Sequence, residues 1–131
     1  MSLVQIRAKH LLVELHECAP VALDDLEAVA FLMHRGAQAA GATVVGEAFH
    51  RYFPQGVTGV LVLEESHFSV HTWPEAGYAA LDFYTCGALE PERAARVVAE
   101  GLVARRVSLL EVTRGLPEVE GALAVTRRVS W

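Results

Sequence analysis

The chain has 131 residues, 53% of them hydrophobic, and a formal net charge of −5. That length carries one domain with one core, and that apolar content excludes a disordered tail. The absence of a basic block or stripe argues against nucleic acid as a partner. The opening MSLVQIRAKHLLVELHECAP interrupts its apolar runs too often for a signal peptide or a membrane span, so the expected compartment is the cytoplasm.

Residues 7–17 are short, partly alternating and followed by Cys-Ala-Pro, which predicts a strand. The spacing of Leu26, Val29, Ala30, Met33, Ala37 and Ala40 predicts a helix over 23–40, with Asp24 able to cap its start and Gly41 ending it. A second strand is expected at 43–53, broken by Pro-Gln-Gly, and 57–64 is the most strand-like run in the chain. Glu65-Ser66-His67 is expected as a turn, followed by strands at 68–73 and 78–85 on either side of the Pro74–Gly77 break. Pro91 opens a second helix, 91–105, with Ala94, Val97, Val98 and Leu102 on one face, and a last strand covers 106–113. From Gly115 the chain is polar and poorly patterned, with a short strand expected at 122–129.

The order β-α-β-β-β-β-α-β, mostly hairpin-connected, predicts one α+β domain spanning 1–131. Its expected architecture is a two-layer α/β sandwich, a mostly antiparallel sheet with both helices on one face. The other sheet face needs a cover, and a second copy of the chain is the expected one, giving a homodimer.

The reactive residues crowd into LEESHFSVHTWPEAGYAALDFYTCG, Leu63 to Gly87. His67 and His71 have helical metal spacing, but on a strand four residues span roughly 13 Å, too far for two ligands of one ion, so no metal is expected. Cys86 at a strand end could act as a thiol or as a small hydrophobe, while Cys18 reads as structural. Trp73, Tyr52, Phe53, Phe68 and Tyr84 fit a core or interface equally with a pocket for a flat or cationic ligand. Glu64, Glu65 and Glu75 are ordinary surface carboxylates on spacing alone. No CxxC pair, GxGxxG, P-loop, HExxH or GxSxG is present.

Taken together, the ESHxxxHTWPE and TCG blocks resemble the signature of the short bacterial and archaeal S-adenosylmethionine decarboxylase proenzymes. The similarity runs upstream through GATVVGEAFHRYFPQGVTGV and more weakly to KHLLVELHECAP. The resemblance implies self-cleavage between Glu65 and Ser66, giving a β chain 1–65 and an α chain 66–131. Ser66 would become a pyruvoyl group, the only cofactor, which forms a Schiff base with S-adenosylmethionine and accepts the electrons left by CO2. The product would be the aminopropyl donor for spermidine and other polyamines. By the same resemblance, His71 serves proton transfer in processing, Thr58 supplies a processing hydroxyl, and Cys86 donates the proton in decarboxylation. Glu75 holds the ribose, and Tyr52 stacks on the adenine, with Phe68 and Trp73 completing the candidate binding set.

Three positions depart from the family pattern: Thr58 replaces a serine, Tyr52 a phenylalanine and Ala76 a tyrosine. They admit a second substrate class, arginine or ornithine, on the same pyruvoyl scaffold. An unprocessed binding partner and a Cys86–His71 thiol hydrolase are further alternatives.

Overall fold

In β1 (Ala8–His16), Leu11, Val13 and Leu15 are buried, while the alternate residues His10, Leu12 and Glu14 point the other way. The same alternation repeats in β3 (Val57–Leu63), β4 (Ser66–Trp73) and β5 (Tyr78–Thr85), so one face of the sheet is buried and mostly apolar, with Thr72 and Thr85 its buried polar members. β2 (Val44–Arg51), β6 (Arg106–Arg114) and β7 (Ala124–Ser130) complete a seven-stranded antiparallel sheet in the order β2-β3-β4-β5-β1-β6-β7. This computed structural model describes residues 7–115 and 124–131; the start of the strand expected at 122–129 lies outside them, and β7 supplies the rest.

Three helices lie on the apolar face: α1 (Pro20–Leu23), α2 (Leu26–Ala40) and α3 (Pro91–Gly101). Val29, Met33 and Ala37 of α2, with Ala94 and Val98 of α3, meet Phe68, Val70, Leu81 and Phe83 of the sheet in one core. Each large side chain removed from water there contributes roughly 1.5–3 kcal/mol. α2 and α3 approach closely at Gly36, where a Cβ would lie 3.1 Å from the Ala94 carbonyl oxygen and 3.3 Å from the Phe68 ring.

The two-layer architecture matches the sequence expectation, and Gly41 ends α2 in the left-handed conformation as expected (φ 86°). Four local details differ. A separate one-turn helix, α1, precedes the long one, so the described residues hold three helices rather than two. Asp25, not Asp24, caps α2, its Oδ1 accepting from Ala28 N at 3.1 Å. Asp24 instead accepts from Gly56 N (2.9 Å) and from Arg51 (2.7 Å). On α3, Ala95 and Ala99 are buried while Val97 is only half-buried, because the helix turns its small residues toward α2 and the sheet.

The fourth difference bears on the site. The hairpin turn between β3 and β4 is Glu64-Glu65, and β4 starts at Ser66 with Leu63 as its partner. Neither glutamate suits the positive φ that two-residue hairpins favour. The positive φ falls instead on Ser66, at 138°.

Candidate active site

Ser66 is a non-glycine residue in a region of backbone space that is essentially glycine's own, and such a conformation stores about 1–3 kcal/mol. The strain lies at the nitrogen side of the residue, next to the Glu65–Ser66 peptide bond. The β4–β5 register pairs Ser66 with Thr85, which brings the residues just beyond that pair, Glu65 and Cys86, opposite one another. The Glu65 carbonyl oxygen accepts from the Cys86 N–H at 3.3 Å, and the Cys86 Sγ lies 3.8 Å from the same oxygen. The Glu65 side chain is tied back to Thr43 N (3.2 Å), and Glu64 N donates to Thr43 O (3.0 Å), so the turn is anchored to the start of β2. Cys86 is exposed; Cys18 is buried, and burial pushes its thiol from 9.0 up to about 11.

A second group lies toward the other end of β4. His71 pairs with Thr58 of β3 and with Ala80 of β5. Its Nδ1 is 3.0 Å from Thr58 Oγ1, and Tyr52 Oη donates to the same Oγ1 at 3.2 Å. The Trp73 ring is 6.3 Å from His71 and 5.3 Å from Tyr78. Burial first, then a hydrogen bond and charge from Glu14, raises the Tyr78 hydroxyl to about 12. Glu75 is exposed on the single 3-10 turn Pro74–Ala76 that joins β4 to β5.

β4 pairs without interruption with β3 from Ser66 to His71 and with β5 from Ser66 to Trp73. No register shift interrupts either ladder. Five residues of strand separate Ser66 from His71, about 16 Å. One chain therefore unites Glu65, Ser66 and Cys86, and separately unites Tyr52, Thr58, His71 and Trp73. It does not bring the two groups together.

Phe68 leaves the candidate binding set. It is 1% exposed and packs on Phe83 with ring centroids 5.0 Å apart, on the helix side of the sheet. The pleat alone decides this: Phe68 shares its face with Val70 and Thr72, opposite to His67, His71 and Trp73.

Between the two groups, the open face carries a polar network that spacing did not reveal. His10 Nε2 lies 2.6 Å, and His67 Nε2 3.2 Å, from Asp82 Oδ2. Ser69 donates to Asp82 Oδ1. Arg114 is 3.1 Å from His10 Nδ1 and its guanidinium covers the Tyr84 ring at 4.7 Å. Arginine only donates, so His10 Nδ1 accepts, and the ring proton is on Nε2, donated to Asp82. Burial pushes the Asp82 carboxyl up, but the bonds from Ser69, His10 and His67 outweigh it and hold it below its ordinary 3.8. The available signal was one acid at an alternate position of an apolar strand, in YAALDFYT.

The fold and the junction define the class: a two-layer α/β sandwich with a backbone outlier, Ser66, at the start of a central strand of its sheet. The family model described as S-adenosylmethionine decarboxylase matches residues 9–115. An S-adenosylmethionine decarboxylase proenzyme of Thermotoga petrophila is 44% identical over 108 residues, 82% of this chain and 83% of that one. The proenzyme of Methanococcus vannielii is 43% identical over 117 residues, 88% of this chain and 96% of that one. The crystal structure of the adenosylmethionine decarboxylase from Aquifex aeolicus VF5 superposes with a TM-score of 0.77 at 31% identity, covering 91% of this chain and 98% of that one. The chain belongs to the S-adenosylmethionine decarboxylase family, and the enzymatic reading of its sequence stands with it.

Proposed function

We propose that this chain cuts itself between Glu65 and Ser66 and then decarboxylates S-adenosylmethionine, yielding the aminopropyl donor for polyamine synthesis. The observation that carries the proposal is the junction: a strained Ser66 whose preceding carbonyl oxygen accepts the Cys86 N–H at 3.3 Å. Attack by Ser66 Oγ on the Glu65 carbonyl carbon places negative charge on that oxygen, where a fixed donor is worth most. The amide nitrogen leaves as the ester forms. Loss of the Ser66 Cα proton expels the Glu65 carboxylate and leaves dehydroalanine, which hydrolyses to a pyruvoyl group and ammonia. The products are the β chain 1–65 and the α chain 66–131.

The residues at the junction fit a pyruvoyl group, since Cys86 already bonds the carbonyl whose loss uncovers it. That group supplies a carbonyl able to draw off the electron pair left by departing CO2. The exposed Cys86 thiol then returns a proton to the substrate carbon. Glu75, Tyr52 and Trp73 take the ribose hydroxyls and the adenine.

His71 and Thr58 serve processing from a second copy of the chain, docked on the open sheet face. Two features support this: the two groups occupy opposite ends of one strand, and the same face exposes Leu12 (40%), Val62 (46%) and Trp73 (43%). A two-fold axis across the middle of β4 sets the Ser66 end of one copy over the His71 end of the other, so the active unit is a homodimer of αβ halves. No helix among the described residues is long and apolar enough to cross a membrane; two free thiols suit a reducing cytoplasm.

Intact mass after ageing tests cleavage: two fragments are expected, each near half of 14.2 kDa, and one uncut chain refutes it. Turnover of arginine or ornithine, with none of S-adenosylmethionine, refutes the substrate. Co-expression of Ser66→Ala with His71→Ala chains tests the shared site. Only the His71→Ala chain should be cut; an uncut mixture beside a cleaving wild type refutes the exchange.

A further inference from the structure

The cleavage and substrate-binding roles proposed above leave one polar atom of the second group unused, the hydroxyl of Tyr52. The chain holds Tyr52 in place from several directions. Its N–H donates to Gly56 O at 2.8 Å, the Gly56 N–H donates to Asp24 Oδ1 at 2.9 Å, and Arg51 closes on Asp24 at 2.7 Å. The ring stands edge-on to His50 at 4.7 Å. A phenylalanine would keep every one of these contacts. Only the hydroxyl reaches further, to Thr58 Oγ1 at 3.2 Å, and Thr58 in turn reaches His71 Nδ1 at 3.0 Å.

We infer that Tyr52 is a positioning residue that acts through Thr58 to fix the tautomer of His71. Thr58 has one proton and two lone pairs. Tyr52 fills one of those lone pairs, and His71 Nδ1, at 3.0 Å, is the acceptor within reach of Thr58's own proton. His71 then accepts at Nδ1 and carries its ring proton on Nε2, the nitrogen that faces away from the relay. Donors in series polarise one another, so each bond of the relay strengthens the next. Without the Tyr52 hydroxyl, Thr58 is free to rotate and His71 divides between its two neutral tautomers. The inference rests on the proposed role of His71 in cleavage, and it assigns the part played by a residue that does not itself touch the cut bond.

The test is a double-mutant cycle on the full chain, with cleavage followed on denaturing gels and ring nitrogens by ¹⁵N NMR of histidine-labelled protein. Tyr52→Phe is expected to slow cleavage about fivefold, the worth of one hydrogen bond. In a Thr58→Ala background the same substitution is expected to change nothing further, because the relay is already cut. In the uncleavable Ser66→Ala chain, His71 should show a protonated Nε2 and a bare Nδ1, and Tyr52→Phe should raise the Nδ1-protonated form. Equal slowing by Tyr52→Phe in both backgrounds overturns the inference, as does a His71 spectrum unmoved by the substitution. A wild-type chain that never cuts refutes the cleavage proposal instead, and the spectrum alone then decides the relay.

Discussion

Two variants at position 66 separate backbone strain from chemistry. Neither Ser66→Ala nor Ser66→Gly can be cut, so both report on the intact fold. Alanine must adopt φ 138° at a cost of about 2 kcal/mol, the middle of the range for such outliers. Glycine adopts it freely, but loses about 0.7 kcal/mol through the entropy of its unfolded chain. A half-buried methyl returns about 0.4 kcal/mol to alanine. The difference leaves Ser66→Gly more stable by about 1 kcal/mol, or roughly 3–5 °C in Tm at this chain length. Thermal and urea unfolding followed by circular dichroism measure it directly. A Ser66→Ala chain as stable as Ser66→Gly, or more so, means the junction is relaxed and the ground-state strain assigned to the Glu65–Ser66 bond does not exist.

Cys86→Ala keeps the backbone N–H on the Glu65 oxygen and loses only the thiol. It should still cleave while CO2 release falls by about a hundredfold or more; full turnover would remove Cys86 as the proton donor. Under mild alkylation at pH 8 the exposed Cys86 should react and Cys18, buried with its thiol raised to about 11, should not; peptide mapping that finds Cys18 labelled first contradicts its burial. Asp82 has a folded pKa below its unfolded 3.8, so it stabilises the fold above that value and the contribution disappears as pH falls through the folded pKa. Asp82→Asn should therefore lower stability at pH 7 and flatten the loss of stability below about pH 4. An acid titration as steep as wild type would show that the network with His10, His67 and Ser69 is not formed.

The layers of this fold are readable in the sequence because period-2 and period-3.6 patterns report which side of an element is apolar. VTGVLVL and YAALDFYT declare themselves as strands, and the apolar residues recurring at helical spacing from Leu26 to Ala40 declare a helix. The same parity puts Phe68 in the core, a conclusion available from FSVHTW once its alternation is followed to the end. What pattern does not carry is the rotation of a backbone at a single peptide. Glu-Glu is a poor turn, and the strain it displaces onto Ser66 is visible only in the folded chain. Nor does pattern give cross-strand neighbours. Asp82 is one acid among apolar residues until the register β4–β5–β1 sets Ser69, His67 and His10 around it. The departures from the family at Tyr52 and Thr58 are legible separately. Their hydrogen bond to each other becomes legible only when β2 and β3 are paired.

The strand order would have a consequence for the chain once cut as proposed. A cut between Glu65 and Ser66 leaves β1, β2 and β3 on one fragment and β4 to β7 on the other. In the sheet, β1 lies between β5 and β6, and β3 lies beside β4. The fragments are thus threaded through each other along three backbone seams, β3 with β4, β5 with β1, and β1 with β6, and α2 of one packs on α3 of the other. Severing the chain converts a one-piece fold into an interlocked heterodimer whose halves part only by dismantling the sheet. Its melting then becomes a dissociation, and its Tm acquires a dependence on protein concentration that the uncut chain would not show on its own account.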